Sequence, residues 1–217
     1  MAIFTTQQST GQYIVIKSRN NEELSLNILS PETIIHIGEQ AQLGIIIPEG
    51  DYNHNIHIIA TKGSQVEIRE RESWSGNISW NIELIEPYAN INYISRVKSN
   101  RESNNTITIT HQAPYTKSKV DCRYIIENSH PLKQHTIITI PATISHCEAI
   151  QSAEIILLTE RSKFEIIPEL RVATDNSNAS HGVSIHPIRE TDIFYLMTRG
   201  LSKQKSFDLL KTGFLER

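Results

Sequence analysis

The sequence predicts a mainly β protein whose strands coil into a parallel β-helix, also called a β-solenoid, followed by a short helical hairpin. Three observations support this prediction. Isoleucine runs such as 45–47 and 137–138 favour strands, because β-branched side chains pack well on a pleated surface. Segments made of a turn and a strand recur about every 24 residues. Between Asn178 and Phe214 the apolar spacing changes from that of strands to that of helices.

The repeat consists of polar turns that are each followed by alternating apolar residues. Its apolar anchors are Leu43, Val66, Ile91 and Phe164, and the turn before the last anchor begins at position 159. The first three anchors follow one another at nearly equal steps of one unit each, and the last lies close to three further units along the chain. One coil of short strands cannot bury its inner face alone, so this period indicates coils stacked on a shared core.

An antiparallel β-sandwich is the alternative architecture for a chain with so many short strands. Its hairpins would recur about every 8–12 residues and would favour Asn-Gly or Asp-Gly turns. The chain contains neither dipeptide, so the sequence favours the β-helix.

The composition limits the functions that the chain can have. Its 217 residues carry a net charge of −3 without a basic cluster, so general binding of nucleic acid is not expected. No apolar run approaches the roughly 20 residues that span a bilayer. Only two cysteines occur, which fits the reducing cytoplasm better than a disulfide framework. Phosphate-loop, nucleophile-elbow and Cys-x-x-Cys motifs are missing, so we expect neither an enzyme nor an ATP site of its own.

Two short helical patterns follow the predicted strands and are separated by Gly200. In the first pattern, an apolar stripe at helical spacing covers residues 193–197. Gly200 falls where a left-handed C-cap is needed, and Arg199 before it suits the negative end of the helix dipole. In the second pattern, Ser202 is placed to accept the first free amides as N-cap.

Four short motifs follow one another in this region. They are Ser180-His181-Gly182, Ile193-Phe194-Tyr195-Leu196, Arg199-Gly200-Leu201 and Gly213-Phe214. Upstream, residues 111–118 read His-Gln-Ala-Pro-Tyr-Thr-Lys-Ser. In this order the motifs resemble the SufB/SufD family, and SufD most closely, over roughly residues 35 to 214. Members of this family are subunits of the scaffold on which the SUF system assembles iron–sulfur clusters.

The resemblance implies a right-handed parallel β-helix over residues 1–175 and a C-terminal helical segment over residues 176–217 that docks an ATPase partner. It implies a non-catalytic scaffold subunit that pairs with a SufB-like subunit, with a homodimer as the alternative. A SufC-like ABC ATPase would bind to the complex and would supply its ATP site. The iron–sulfur cluster would be held transiently where the two scaffold subunits meet.

The resemblance also assigns roles to individual residues. It implies that His181 is a metal ligand shared with the partner subunit, because a neutral imidazole binds iron or zinc through one nitrogen. The residues implied in partner binding are Phe194, Tyr195, Arg199, Phe207 and Phe214.

The sequence also departs from the SufD pattern. Ala179 stands where many SufD proteins have a cysteine, and the family's helical N-terminal region and last helix are not found, which indicates a short form. Three alternatives stay open. For His181, the alternative is a structural histidine that is hydrogen-bonded at a strand-to-helix corner. For the whole chain, the alternatives are a degenerate paralogue without cluster chemistry and a β-helix carbohydrate-active enzyme with carboxylates converging on one face.

Several other residues are given structural interpretations. Cys122 and Cys147 are separated by close to one repeat, so they either stack on adjacent coils or are separate small buried side chains. Glu67, Glu70 and Glu72 are predicted to form a charged, solvent-facing surface on one strand.

Two further predictions concern a helix start and two tryptophans. Arg189 opposes the dipole where the first helix begins, so Thr191 or Asp192 is expected to cap that helix. Trp74 and Trp80 either pack in the core or anchor a partner.

Overall fold

The computed structural model describes residues 3–8, 11–127, 130–158 and 162–216, with side chains from residue 11 onward. Fifteen strands in these ranges form two sheets, and from β2 onward successive strands alternate between the sheets. The first sheet, in spatial order, contains β1 (Ile3–Gln8), β2 (Gly11–Ile16), β4 (Glu32–Ile37), β6 (Asp51–Ala60), β8 (Ser75–Leu84), β10 (Ser103–His111), β12 (Leu132–Ile140) and β14 (Phe164–Val172). The second sheet contains β3 (Asn21–Ser25), β5 (Gln42–Ile47), β7 (Gln65–Glu70), β9 (Asn90–Ser99), β11 (Lys117–Ile126), β13 (Glu148–Leu157) and β15 (Asn178–His186).

The pairing of these strands makes the protein a parallel β-solenoid of about six turns. Every described strand pair is parallel except β1 with β2, which is an antiparallel hairpin at the start of the first sheet. The predicted solenoid is therefore confirmed, and the antiparallel sandwich is wrong. Parallel strands separated by a whole coil bring together residues that are far apart in the chain.

The interior is held together by columns of matching aliphatic residues. One column passes from strand to strand through the first sheet, so that each side chain packs on its equivalents in the coils before and after. It consists of Ile14, Ile35, Ile58, Ile82, Ile109, Ile138 and Leu170. The six isoleucines are at most 2% exposed. Each coil thus supplies one aliphatic residue to this column. Within each strand, side chains point inward at every second position.

The repeat length is shorter in the first coils than in the last. Leu43, Val66 and Ile91 are in register in the second sheet, as their regular spacing predicts. Ser118 is the next residue in register after Ile91, and this step along the chain is longer than the two before it. The fourth predicted anchor, Phe164, is wrong for this column because it pairs with Leu132 in the first sheet. The turn predicted from position 159 lies partly outside the described residues.

The corners that lead into the second sheet share one backbone conformation. A residue with positive φ, between 56° and 66°, stands at this corner in six coils: Arg19, Gln40, Gly63, Tyr88, Tyr115 and His146. The last five are each followed by a small buried residue: Ala41, Ser64, Ala89, Thr116 and Cys147. A left-handed residue turns the chain sharply, and the small residue lets the turn close over the core.

Two helices follow the last strand, as predicted. They are α1 (Glu190–Thr198) and α2 (Lys203–Glu216), and a short 3₁₀ helix (Leu26–Ile28) follows β3. Gly200 has a φ of 92°, and the Lys205 backbone N–H donates to Ser202 Oγ at 3.3 Å, so both predicted caps are confirmed. Within the described ranges, no helix combines the length and apolarity needed to cross a membrane.

The start of α1 differs from the prediction. The helix begins at Glu190, directly after Arg189, and Arg189 makes no side-chain capping hydrogen bond. The Arg189 guanidinium instead donates to the Asp192 carboxylate at 2.9 and 3.0 Å. Capping by Thr191 or Asp192 is therefore wrong, because both lie inside the helix and Asp192 neutralises the cation that opposes the dipole.

Candidate functional site

The C-terminal end of the solenoid is open. Among the described residues, β14 and β15 are the last strands of their sheets, so no further coil covers their inward-facing side chains. Ile185 on β15 is 52% exposed, whereas Ile155, its partner in register on β13, is fully buried. Val183 and Val172 are also exposed on the inward faces of β15 and β14. The apolar lining that every earlier coil buries is thus presented to solvent at this end.

His181 is one of the inward-facing residues at this open end. It is an exposed residue of β15, a strand that continues beyond it to His186. Ala179 packs on the core, and strand alternation places His181 on the same inward face. The alternative that places His181 at a strand-to-helix corner is therefore wrong, because β15 continues past Gly182 and pairs with β13 as far as His186.

A metal bound at His181 would need ligands from elsewhere. In the described part of the chain, no three His, Cys, Asp or Glu side chains converge on one point. Ala179, two residues before His181, offers no ligand. An exposed neutral imidazole can bind iron or zinc through one ring nitrogen.

Gln151 is the neighbour of His181 in the preceding coil. The two residues are partners in the register between β13 and β15. Gln151 is 3% exposed, and its Nε2 donates to the backbone carbonyl oxygen of Glu169 at 3.0 Å. The carboxamide oxygen of Gln151 is buried and accepts no hydrogen bond within the described residues. It is the buried polar atom that the structure leaves unsatisfied next to the predicted site residue.

The helical hairpin presents part of its apolar surface to solvent. On α1, Phe194 is 68% exposed and Tyr195 is 56% exposed. The guanidinium of Arg199 lies 5.3 Å from the centre of the Tyr195 ring, a cation–π contact. On α2, Phe207 is half-buried, with the Lys211 ammonium 4.9 Å from its ring centre. Four of the five predicted partner-binding residues are therefore at least partly accessible.

Phe214, the fifth predicted partner-binding residue, is used within the chain. It is 8% exposed and packs with Ile125 and Ile156 on the outer face of the second sheet. Arg123 Nη1 donates to the Phe214 carbonyl oxygen at 3.5 Å, so a cation meets the C-terminal end of α2. Phe214 thus anchors the hairpin to the solenoid, and a direct contact of its side chain with a partner stays a prediction.

An ionic contact adds to this anchor. Lys211 Nζ lies 3.6 Å from Glu127 Oε1, and Lys98 Nζ lies 2.8 Å from Glu127 Oε2. Lys211 also pairs with Asp208 at 2.9 Å, and these contacts raise the pKa of its ammonium. The hairpin is therefore held on the solenoid by one small apolar cluster and one group of charges.

The structure also shows a buried polar group that the sequence interpretation missed. Glu70 was predicted to face solvent but is 2% exposed, since Ile68 two residues earlier is also inward-facing. Trp74 Nε1 donates to Glu70 Oε1, and the Tyr93 hydroxyl donates to Glu70 Oε2 at 3.2 Å. Burial raises the pKa of Glu70, despite these hydrogen bonds. Asn105 Nδ2 in turn donates to the Tyr93 hydroxyl oxygen at 2.6 Å.

The two tryptophans and the two cysteines are core residues. Trp74 and Trp80 are at most 2% exposed, so core packing is confirmed for both and neither is available to a partner. Cys122 is in register with Ala153, whereas Cys147 stands at the corner before β13, so stacking of the two cysteines is wrong. Burial raises the pKa of the Cys122 thiol to about 12, which keeps it protonated and unreactive.

A shallow groove lies on the outer face of the second sheet. It has a volume of about 520 Å³ and is lined by Gly44, Glu23, Glu67, Arg69 and further polar side chains. Arg69 Nη1 lies 3.4 Å from Glu23 Oε2, and Arg69 Nε donates to Glu67 Oε1. Both carboxylates are therefore paired with one guanidinium. This is not the free acid and base pair that a carbohydrate-active enzyme needs.

Comparison with known proteins identifies the family to which this chain belongs. Residues 79–214 match the family model for the SufBD core domain of the SUF system of FeS cluster assembly. That match covers well over half of the chain, and the chain belongs to the SufBD family. The predicted membership is confirmed for SufB and SufD together, and the closer similarity to SufD stays a prediction.

Similar curated proteins carry names from the same family. A SufBD family protein of Pyrococcus horikoshii is 32% identical over 88 residues, which is 39% of this chain and 20% of that protein. A SufBD family protein of Staphylococcus haemolyticus is 26% identical over 106 residues, which is 49% of this chain and 23% of that protein. The SufB protein of Bacillus subtilis is 21% identical over 238 residues, which is 94% of this chain and 51% of that protein. The chain spans about a fifth to a half of the length of these relatives.

Proposed function

We propose that the chain is a non-catalytic scaffold subunit of a cytoplasmic SUF complex, in which it pairs with a SufB-like subunit and binds a SufC-like ABC ATPase. The cluster is cargo in this proposal, assembled at the junction of the two scaffold subunits and then released. His181 contributes one ligand, and the SufB-like subunit contributes the others. The ATP site belongs to the ATPase.

The observation that carries this proposal is the uncovered inner lining at the C-terminal end of the solenoid. Val183 and Ile185 would bury apolar surface against a SufB-like solenoid, and this burial favours association. His181 stands between these apolar residues and the remaining inward positions of β15. An interface formed here would therefore exclude water around the imidazole, and the metal would be enclosed by both subunits.

The exposed residues of the helical hairpin support the proposed contact with the ATPase. Phe194 and Tyr195 are exposed on α1, and Arg199 at the end of this helix stacks on Tyr195. Aromatic and arginine side chains suit the centre of a protein interface. Within the described residues, the contacts that fasten the hairpin to the solenoid include Phe214 and Lys211 in the C-terminal half of α2. A motor that moves the hairpin would thus pull on the coils next to His181.

Co-purification tests the proposal directly. The full chain is co-expressed with a SufB-like protein and a SufC-like ATPase of the same organism and purified without oxygen through a tag on this chain. We expect both partners in near-equal amounts, with iron and sulfide present. A chain that retains neither partner would contradict the proposal.

The His181→Ala substitution separates an active scaffold from a degenerate paralogue. We expect the complex to form as before, while its iron and sulfide content falls on the order of tenfold. His186→Ala is the matched control, since His186 lies on the same strand and on its outer face, and it should leave the cluster content unchanged. If His181→Ala also leaves the content unchanged, the paralogue without cluster chemistry is the better description, as Ala179 would suggest.

A further inference from the structure

Gln151 lies beside the predicted metal ligand, and its side-chain oxygen is buried without a hydrogen-bond donor among the described residues. Its amide is fixed at one end, because Nε2 donates to the Glu169 carbonyl oxygen on the neighbouring sheet. Its other end, Oε1, is buried and accepts nothing from the described residues. Burying an acceptor without a partner is unfavourable, so a donor is expected within reach.

The register of the solenoid shows which residue is placed to be that donor. Gln151 and His181 are paired between β13 and β15, and both occupy inward-facing positions. Side chains in register on neighbouring strands are about 5 Å apart, a distance that an imidazole ring spans. On the neighbouring strand β11, Gln151 is in register with Val120, whose side chain has no hydrogen to donate. His181 is exposed, and the hydrogen bond requires its ring to turn toward the buried amide.

We propose that Gln151 is a positioning residue for His181: its carboxamide oxygen accepts a hydrogen bond from one ring nitrogen of His181, and the other nitrogen is left deprotonated and directed out of the open end. This inference rests on the proposed function, because it assigns a task to a residue beside the proposed ligand. It goes beyond that function by naming the group that selects the tautomer of His181.

A hydrogen bond to one ring nitrogen of His181 decides which nitrogen can bind a metal. In a neutral histidine one nitrogen carries the hydrogen and the other has the lone pair that binds a metal. Which nitrogen is available is set by the hydrogen bond that the other one makes. A neutral amide does this without adding charge, and the bond of Gln151 to Glu169 prevents the amide from rotating away. The ligand would thus be oriented before the partner and the iron arrive.

The tautomer of His181 can be measured in the chain on its own. The full chain is labelled with ¹⁵N in its histidines, and long-range ¹H–¹⁵N correlation spectra are recorded at a pH where His181 is neutral, with assignment through His181→Ala. We expect two well-separated nitrogen shifts for His181, which indicate a single tautomer. Averaged shifts that match those of the same chain in urea would overturn the proposal, whatever the variants do.

Two variants sharpen the measurement. Gln151→Leu keeps the volume but removes the acceptor, so the His181 shifts should move toward their averaged values. Gln134→Leu removes another buried inward glutamine and should leave His181 unchanged. A single tautomer that persists in folded Gln151→Leu would refute the assignment.

The outcome is independent of the co-purification test. The spectra need neither the partner nor iron, so a fixed tautomer can be found even if no complex forms. Equally, the complex can form and hold a cluster while His181 has mixed tautomers. The two proposals therefore fail separately.

Discussion

His111 is a histidine whose properties are changed by complete burial. Its Nδ1 lies 2.7 Å from Thr116 Oγ1, and its Nε2 lies 2.9 Å from Ser118 Oγ. Both hydroxyls belong to the His-x-Ala-Pro-x-Thr-x-Ser segment, so this motif closes on itself across the corner between β10 and β11. Burial lowers the pKa of His111 from 6.5 to about 4.

The low pKa of His111 predicts a loss of stability in acid. Well above pH 6.5 this residue is neutral in both the folded and the unfolded state, so it contributes nothing to the pH dependence there. As the pH falls from 6.5 to about 4, the unfolded chain binds a proton that the folded chain excludes. The free energy of unfolding should therefore fall, by roughly 3 kcal/mol over this range. Urea unfolding at several pH values measures it.

The His111→Gln variant isolates this contribution. Its free energy of unfolding should change less between pH 6.5 and 4 than that of the wild type, since the titrating group is gone. Thr116→Val removes a hydrogen-bond partner and keeps the histidine, so it should lower stability at every pH. Equal pH profiles for wild type and His111→Gln would show that His111 does not titrate as described.

At the scale of single elements, two glycines with positive φ differ in how well they tolerate a side chain. The corner position occupied by Gly63 holds tyrosine in later coils, with the Tyr88 and Tyr115 rings stacked 5.4 Å apart. Gly76 at the start of β8 is different, because a Cβ there would overlap the carbonyl oxygen of Tyr52. The same residue type is thus replaceable in one place and required in the other.

Alanine substitution at the two glycines tests this difference. Gly63→Ala adds a Cβ that meets only Gln40 Cγ, at 3.4 Å, and should cost about 1 kcal/mol for its positive φ. Gly76→Ala should cost at least about 3 kcal/mol, because the backbone of Tyr52 must move. Urea unfolding of both variants measures the costs. Similar values for the two would contradict the close approach at Gly76.

The anchor of the hairpin is tested by Phe214→Ala. Loss of a buried ring from the cluster with Ile125 and Ile156 should lower the local stability of α2 by about 3 kcal/mol. Hydrogen exchange of the α2 amides should accelerate, while exchange in β11 and β13 stays slow. Phe194→Ala, on the exposed side of α1, is the control and should leave the exchange rates unchanged. Global unfolding by Phe214→Ala would show that the hairpin is part of the main core.

For the whole molecule, the open end is the feature that distinguishes this solenoid from a closed one. The aliphatic column that begins at Ile14 is buried through six coils and ends at Leu170, which is only partly covered. Each earlier coil is covered by the next, whereas the last described coil leaves apolar side chains such as Ile185 exposed. In a family of assembly proteins, a SufB-like subunit is proposed to cover these side chains.

The Ile185→Asp substitution should prevent this pairing. A charge placed on the uncovered lining would have to be buried unpaired in the interface, which is strongly unfavourable. Retention of the SufB-like subunit in co-purification should fall by at least tenfold, with the chain itself still folded. Ile167→Asp is the matched control, since Ile167 is 42% exposed on the outer face of β14. Unchanged retention by Ile185→Asp would place the interface elsewhere.

Much of the fold could be predicted from local patterns, and the site only in part. The spacing of Leu43, Val66 and Ile91 indicates the coils because each inward position repeats once per turn. The identity of His181 as a candidate came from a motif, and its role as a ligand stays a prediction. The position of Gln151 beneath it could not be predicted, since later coils are longer and the register across a whole coil is not encoded locally.

The sequence by itself determined the elements: β-branched alternation specifies strands, and Ser202 and Gly200 limit the helices, because these effects act within a few residues. The tertiary structure decided which polar groups are enclosed and which apolar groups are exposed. Glu70 is buried and Ile185 is open to solvent although both stand in similar strands. What separates them is whether another coil lies above them, and that depends on stacking between segments distant in the chain.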